Sequence, residues 1–464
     1  MNRRQFIELG SAASLGLGLP YSLSAQPLPY TPNVLLILTE DMNDWIGVLG
    51  GHPQALTPNL DAFANSGVLF TNAHCSAPLC NASRTSMFTG LMPSTTGVYS
   101  NSDNYNDHIP DDYPTLARHF KWQGWHTVRS GKTHHLPNTA SDEWDVSFVE
   151  PKTDTLKGND PYLPGHPFSG TNWPSIDGNS FMNWGAGDVA VEEMADYLRA
   201  NALIDEINAG LPQPSFLAFG TSGTHYPSIV PREYMERFDM AEVELPDVNP
   251  DDLDDLPPEA QAFVKLWFLN AIQDHKQWRK AVHAYLAHIN YVDAQIGRVL
   301  HALDASPYRD NTIVIITADH GFHLGEKRHW LKNTLWEEAS HVFMAIRAPE
   351  LTTPGGRCHE AVSLLDIYPT LCDLADLPAV TPLEGLTLRP QLLDPAQSRE
   401  APAITTAYEG NHSVRTERWR YTRYAGGDEE LYDHDADTNE WANLAEDPAY
   451  DDIKAQLANW LPGG

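Results

Sequence analysis

The stretch Cys75–Gly90 contains Cys80-Asn81-Ala82-Ser83-Arg84, a sulfur nucleophile four residues ahead of a guanidinium. Its second half reads as a short helix, in which residues four apart share a face. Gly90 is placed to end that helix in the left-handed conformation. Cys80 then falls at the helix N-terminus, where free backbone N–H groups and the dipole favour an anion. The spacing predicts a thiol of lowered pKa beside a permanent planar charge. Two plainer readings stay open on these residues alone: a buried structural cysteine and a Cys75–Cys80 disulfide.

A second group of chemical residues sits where strands should end. Asn33–Thr39, His126–Ser130, Ser215–Phe219 and Asn311–Thr317 are apolar runs of the kind found in strands buried on both faces. They lead into Glu40-Asp41, Lys132 with His134 and His135, His225, and Asp319-His320. Parallel α/β sheets bind ligands outside the carboxyl ends of their strands. A single acid at a strand end is ordinarily just solvated; four such clusters of ligand and acid–base types point to convergence. Glu40, Asp41 and Asp319 would form a hard, oxygen-rich site for a divalent cation, with His320 beside it.

These blocks resemble the formylglycine-dependent (type I) sulfatases, and among them the iduronate-2-sulfatase-like group. Cys80–Arg84 matches the family's cysteine motif, with Ala82 at its usual proline. Further matches are Glu40-Asp41-Met42-Asn43, Thr57-Pro58-Asn59-Leu60-Asp61, Asp319-His320-Gly321, Trp330-Leu331-Lys332, Leu335-Trp336-Glu337-Glu338, Arg415–Tyr421 and Glu430–Asp433. The resemblance runs from about residue 31 to 447. It implies an alkaline-phosphatase-like α/β sandwich around a mostly parallel sheet, with a smaller C-terminal α+β subdomain containing an antiparallel sheet.

The implied activity is hydrolysis of a sulfate ester on a carbohydrate. Cys80 would be oxidised by a maturation enzyme to formylglycine, whose hydrate attacks sulfur. Calcium would be held by Glu40, Asp41, Asp319 and His320 together with the residue formed from Cys80. Lys132 and Lys332 would neutralise the sulfate, Arg84 would add a fixed charge beside Cys80, and His225 would protonate the leaving alcohol. The histidine that recovers the proton is His134 or His135. A Lys-x-x-His spacing, shared with the iduronate-2-sulfatase-like group, favours His135. His74, His323 and His329 are lesser substrate-contact candidates. Two rivals are a phosphomonoester or phosphodiester hydrolase of the same superfamily and a catalytically dead protein that binds sulfated glycans.

The elements that must position these residues fit in 464 residues, enough for one large domain and a smaller one. We expect a catalytic domain over 31–375 and a C-terminal subdomain over 376–464. Thirty basic residues against 62 acidic ones give a net charge of −32, which disfavours nucleic acid or an anionic membrane as partner. An anionic substrate must therefore meet a local positive site. Asn2-Arg3-Arg4, an apolar run to Leu19 and Ser24-Ala25 read as a twin-arginine signal over 1–25, so the mature protein is expected to be exported, periplasmic or secreted. Four cysteines are too few for a disulfide scaffold, though a Cys358–Cys372 bridge is compatible with them.

Overall fold

The computed structural model describes residues 28, 30–135, 142–148 and 183–462. The signal expected over 1–25, and most of the irregular excursion expected over 136–186, lie outside the described residues. Among the described residues no helix is long and apolar enough to cross a membrane.

Nine strands form the main sheet: β1 (Asn33–Thr39), β2 (Val68–His74), β3 (His126–Gly131), β4 (Val146–Phe148), β5 (Ser215–Gly220), β6 (Thr312–Ala318), β7 (His341–Arg347), β8 (Gly356–Cys358) and β9 (Val362–Ser363). Their order is β8-β2-β7-β6-β1-β5-β3-β4, with β9 also against β2. From β6 to β4 every pairing is parallel. Only β7 runs against both its neighbours. Every residue of β1, β5 and β6 is buried, and each large aliphatic side chain there contributes about 1.5–3 kcal/mol on leaving water.

The four strands read from sequence as ending in polar clusters are adjacent, in the order β6-β1-β5-β3. Their registers bring Thr39 beside Ala318, Leu38 beside Gly220, and Gly131 beside Gly220. Their carboxyl ends, and the polar residues just beyond them, are therefore level.

Helices cover both faces. On one, α1 (Pro58–Ala64), α4 (Ala195–Ala209) and α5 (Trp278–Asp304) pack together; on the other lie α2 (Cys80–Thr89), α3 (Leu116–Trp122) and α6 (Ile367–Leu374). The Thr57–Asp61 motif has a structural function. Asp293 on α5 accepts from the backbone N–H groups of Asn59 (3.1 Å) and Leu60 (2.8 Å), capping α1 from outside. Asp61 in turn accepts from Val48 N–H at 2.9 Å and fastens the loop after β1.

The C-terminal segment adds an antiparallel sheet of Ala403–Thr406 (β10), His412–Arg415 (β11), Trp419–Arg423 (β12) and Glu429–Asp433 (β13). Trp336 and Glu337 clamp it to the main domain. Trp336 Nε1 donates to Glu430 at 3.2 Å, and the buried Arg420 pairs with both Glu337 and Glu440.

Candidate active site

α2 runs from Cys80 to Thr89 and is capped by Gly90, whose φ is +69°; all ten of its residues are buried. A helix this polar survives burial because its side chains are spoken for. Asn81 Nδ2 donates to the carbonyls of Ser100 (2.8 Å) and Asp103 (2.9 Å), and Ser83 Oγ donates to Asp319 O at 2.5 Å. Through Ser83 and Cys80 its first turn meets Asp319 and Asp41, just beyond β6 and β1.

Cys80, Asp41 and His320 offer ligand atoms within 4.8 Å of one another, as do Glu40, Cys80 and Asp319, and Glu40, Asp41 and His225. His320 Nε2 lies 3.3 Å from Cys80 Sγ, 3.3 Å from Asp41 Oδ1 and 3.7 Å from Asp319 Oδ1. Lys332 Nζ reaches Asp41 Oδ1 at 2.6 Å and Cys80 Sγ at 3.1 Å, and Lys132 Nζ contacts Glu40. Leu331 and Asn333, on either side of Lys332, both have positive φ (87° and 72°), strain held at the lysine's base. Asp41 is also left-handed, at φ 53°. Its backbone is pinned by Tyr285 OH (2.6 Å) and Thr224 Oγ1 (3.0 Å) donating to its carbonyl, and by its N–H donating to Asp319 Oδ1 at 3.1 Å. Tyr285 and Thr224 carry no sequence signal that sets them apart from packing residues.

Arg84 is engaged away from the helix N-terminus: its Nε donates to Asp319 Oδ2 at 2.8 Å, and Nη1 donates to the carbonyls of Lys132 and Thr133. The lowered thiol pKa expected at Cys80 is corrected. Burial pushes it up to about 12; Lys332 opposes the shift and Asp41 and Asp319 add to it. All four cysteines are free, which removes both disulfides considered from sequence.

Burial also pushes Asp41 and Asp319 upward, but Lys332 and His225 outweigh it at Asp41, and Arg84 and His320 at Asp319, so both stay ionised. Burial holds His225 down to about 4 and His135 to about 3, the latter helped by Lys132, Arg84 and Lys332. Both rings rest neutral. His225 Nδ1 donates to Tyr226 O, leaving Nε2 as the proton-exchanging atom.

The tandem histidines part company. The charges acting on His135 are those of the site. His134 is 4% exposed and turns into the core, 3.3 Å from Glu143 and 4.2 Å from the Phe88 ring centroid. His74, His323 and His329 are structural as well: they bond Asn72 (2.7 Å), Thr334 (2.7 Å) and Lys265 N–H (3.0 Å), respectively.

The donor set fits a divalent cation. His320 Nδ1 donates to Gly321 O at 2.9 Å, so its Nε2 lone pair faces the oxygens of Asp41 and Asp319. Lone pairs opposed in this way want a cation between them, and the backbone carbonyl behind the ring is the usual support of a metal-ligating histidine.

The Sulfatase family model matches residues 32–377, and the model for the C-terminal part of N-sulphoglucosamine sulphohydrolase matches 325–462. A sulfatase of Formosa agariphila is 35% identical over 436 residues, covering 89% of this chain and 83% of that one. The chain belongs to the sulfatase family. This sulfatase is thus a sulfuric ester hydrolase, and it is 27% identical to a Delta 4,5-hexuronate-2-O-sulfatase of Bacteroides thetaiotaomicron over 95% of its own length and 90% of the relative's. Its alkaline-phosphatase-like fold is shared with a phosphonate monoester hydrolase from Silicibacter pomeroyi (TM-score 0.76, 22% identity, 92% and 94% of the two chains).

Proposed function

We propose that this sulfatase hydrolyses a sulfate ester on a carbohydrate, using formylglycine made from Cys80 by a maturation enzyme and a calcium ion held by Glu40, Asp41, Asp319 and His320. The observation that carries this reading is the convergence of Cys80 with three carboxylates, His320 and two lysines at the level ends of adjacent parallel strands. Three carboxylates to one imidazole suit a hard cation better than zinc. When bound, the ion supplies charge that polarises a sulfate oxygen and orients the nucleophile. The hydrated aldehyde supplies an oxygen nucleophile and a second hydroxyl for sulfate release.

The chain's own residues supply the rest. Formal charges of Glu40, Asp41 and Asp319 cancel those of Arg84, Lys132 and Lys332, so a divalent ion leaves a net positive site in a protein of charge −32. With the carboxylates facing the ion, Lys132 and Lys332 are left to neutralise the sulfate. His225 Nε2 hands a proton to the leaving alcohol; an anion beside the ring favours its charged form. His135, neutral and beside Lys132, takes a proton from the hydrate. A carbohydrate substrate is supported by the hexuronate sulfatase relative. We also propose residues 31–375 as the catalytic unit, 376–464 as the subdomain supporting it, and export through the twin-arginine segment, which N-terminal sequencing of the mature protein tests.

The likeness to a phosphonate monoester hydrolase favours a second reading, phosphorus ester hydrolysis. Matured enzyme is to be assayed on matched aryl sulfate, aryl phosphate and aryl phosphonate, with chelation and calcium add-back, alongside mass spectrometry of the Cys80 peptide. A preference for sulfate of at least ~10²-fold, lost on chelation and restored by calcium, is expected, with formylglycine in place of cysteine. A preference for phosphonate overturns the substrate class; restoration by zinc alone overturns the ion.

A further inference from the structure

Asp196 and Arg199 lie one turn apart on α4, each 4% exposed, and pair at 2.6 Å. Burying two charges costs more than a surface pair returns, so the pair needs a further reason to be there. Asp196 is in the first turn of its helix, where an acid commonly serves its own helix end. Its carboxylate is turned to other N–H groups: Oδ1 accepts from Ser222 at 3.0 Å and Oδ2 from Gly223 at 2.9 Å. Arg199 Nη1 donates to Ser222 Oγ at 2.7 Å. These are consecutive peptide units immediately ahead of Thr224 and His225. His225 N–H donates to Ser222 O at 3.1 Å, and Thr224 Oγ1 donates to Glu40 O at 2.8 Å.

The same arginine reaches the neighbouring strand end. Its carbonyl accepts from Ser130 Oγ at 2.8 Å, and a Cβ placed on Gly131 would lie 2.8 Å from its Cδ. Gly131 precedes Lys132. One buried pair behind the sheet end therefore braces the β5 segment that presents His225 and the β3 segment that presents Lys132.

We propose that Asp196, held by Arg199, is the positioning residue for His225. The proposal rests on the reading of His225 as proton donor to the leaving alcohol. Two adjacent N–H groups on one carboxylate fix the orientation of the loop three residues before the imidazole. A shift on the ångström scale there is enough to cost ~10²-fold in rate.

The test is a series of aryl sulfates of graded leaving-group pKa, turned over by matured wild type, Asp196→Ala, the isosteric Asp196→Asn, His225→Ala and the Asp196→Ala/His225→Ala double variant. Proton donation matters most for poor leaving groups. Asp196→Ala is expected to lose ~10–100-fold on the poorest leaving group and under ~3-fold on the best, steepening the dependence as His225→Ala does. Asp196→Asn, which fills the same space and keeps one acceptor, is expected to fall between. In the His225→Ala background Asp196→Ala should cost under ~2-fold more. A loss equal across all leaving groups, or one that multiplies fully with His225→Ala, overturns the positioning role. If His225→Ala itself leaves the slope unchanged, the assignment of His225 falls, and the proposal with it.

Discussion

Arg84 donates from Nε to Oδ2 of Asp319 at 2.8 Å, with 1% and 0% of their side chains exposed. Through Nη1 the same guanidinium bonds the backbone carbonyls of Lys132 and Thr133. A side chain on α2 thereby joins Asp319, just beyond the end of β6, to the segment just beyond β3 that carries Lys132. Its planar fork can serve both at once, which a single ammonium cannot.

Replacing Arg84 by Lys is therefore expected to be severe despite conserving charge. The variant should lose roughly 3–5 kcal/mol of stability, the cost of breaking one partner of a buried pair, and at least ~10²-fold in kcat. It should also need more calcium for half-maximal activity, because Asp319 loses its orienting donor. Thermal unfolding and a calcium titration measure these separately. Wild-type calcium dependence in the variant would show that Arg84 acts on something other than Asp319.

Gly90 closes α2 with φ +69°, and a Cβ there would sit 2.4 Å from Leu383 Cδ2. Gly90→Ala is penalised twice, for the left-handed backbone and for the clash, and is expected to destabilise by about 2–3 kcal/mol. Leu383→Ala, which removes the obstructing atom, should recover the clash part only. A double-mutant cycle in urea reads this directly; strict additivity would show that the two residues do not meet.

Much of the site was legible because strands buried on both faces are unbroken apolar runs, so Val34–Leu38 and Ile313–Ile316 point straight at the polar residues after them. β2 was not legible: Thr71, Asn72 and His74 interrupt its pattern, and their partners, such as Cys358 O and His359 O, lie far along the chain. The lowered thiol pKa expected at Cys80 failed for a similar reason. Helix end and Arg84 are local, whereas burial and the carboxylates of Asp41 and Asp319 arrive through the tertiary fold. Nor could adjacent residues separate His134 from His135, since the turn after Gly131 decides which ring meets the site.

Glu143 is fully buried, its Oε1 accepting from Thr115 Oγ1 at 2.5 Å, and burial pushes its carboxyl up to about 7. A carboxyl raised from 4.5 binds its proton more tightly folded than unfolded. Its stability contribution is thus complete below about pH 4.5 and is lost as pH rises toward 7. Glu143→Gln lacks this titration. The Tm of the variant relative to wild type should therefore rise between about pH 4.5 and 7 and level off above, the free-energy difference growing by up to about 1.4 kcal/mol per unit within that window. A pH-independent difference would show that Glu143 stays ionised in the fold.

The tandem histidines give the sharpest separation of chemistry from packing. His134 packs against Phe88 (4.2 Å) and, edge-on, Trp144 (6.4 Å), with Nδ1 3.1 Å from Thr133 Oγ1, so it fills core space behind the site. His135 feels Lys132, Arg84 and Lys332, and burial keeps it neutral, as a proton acceptor must be. His135→Ala should keep a near wild-type Tm and lose ~10²–10⁴-fold in kcat. His134→Ala should lose roughly 2–4 kcal/mol of stability through the cavity it leaves. At temperatures where it is folded, its kcat should stay within about tenfold of wild type, the factor that corresponds to about 1.4 kcal/mol in the barrier. Circular dichroism melts and single-turnover kinetics on one aryl sulfate distinguish the two sets of effects. A variant of His134 that folds normally yet loses the larger share of turnover would reverse the assignment and give the proton-accepting role to the Lys-x-His spacing.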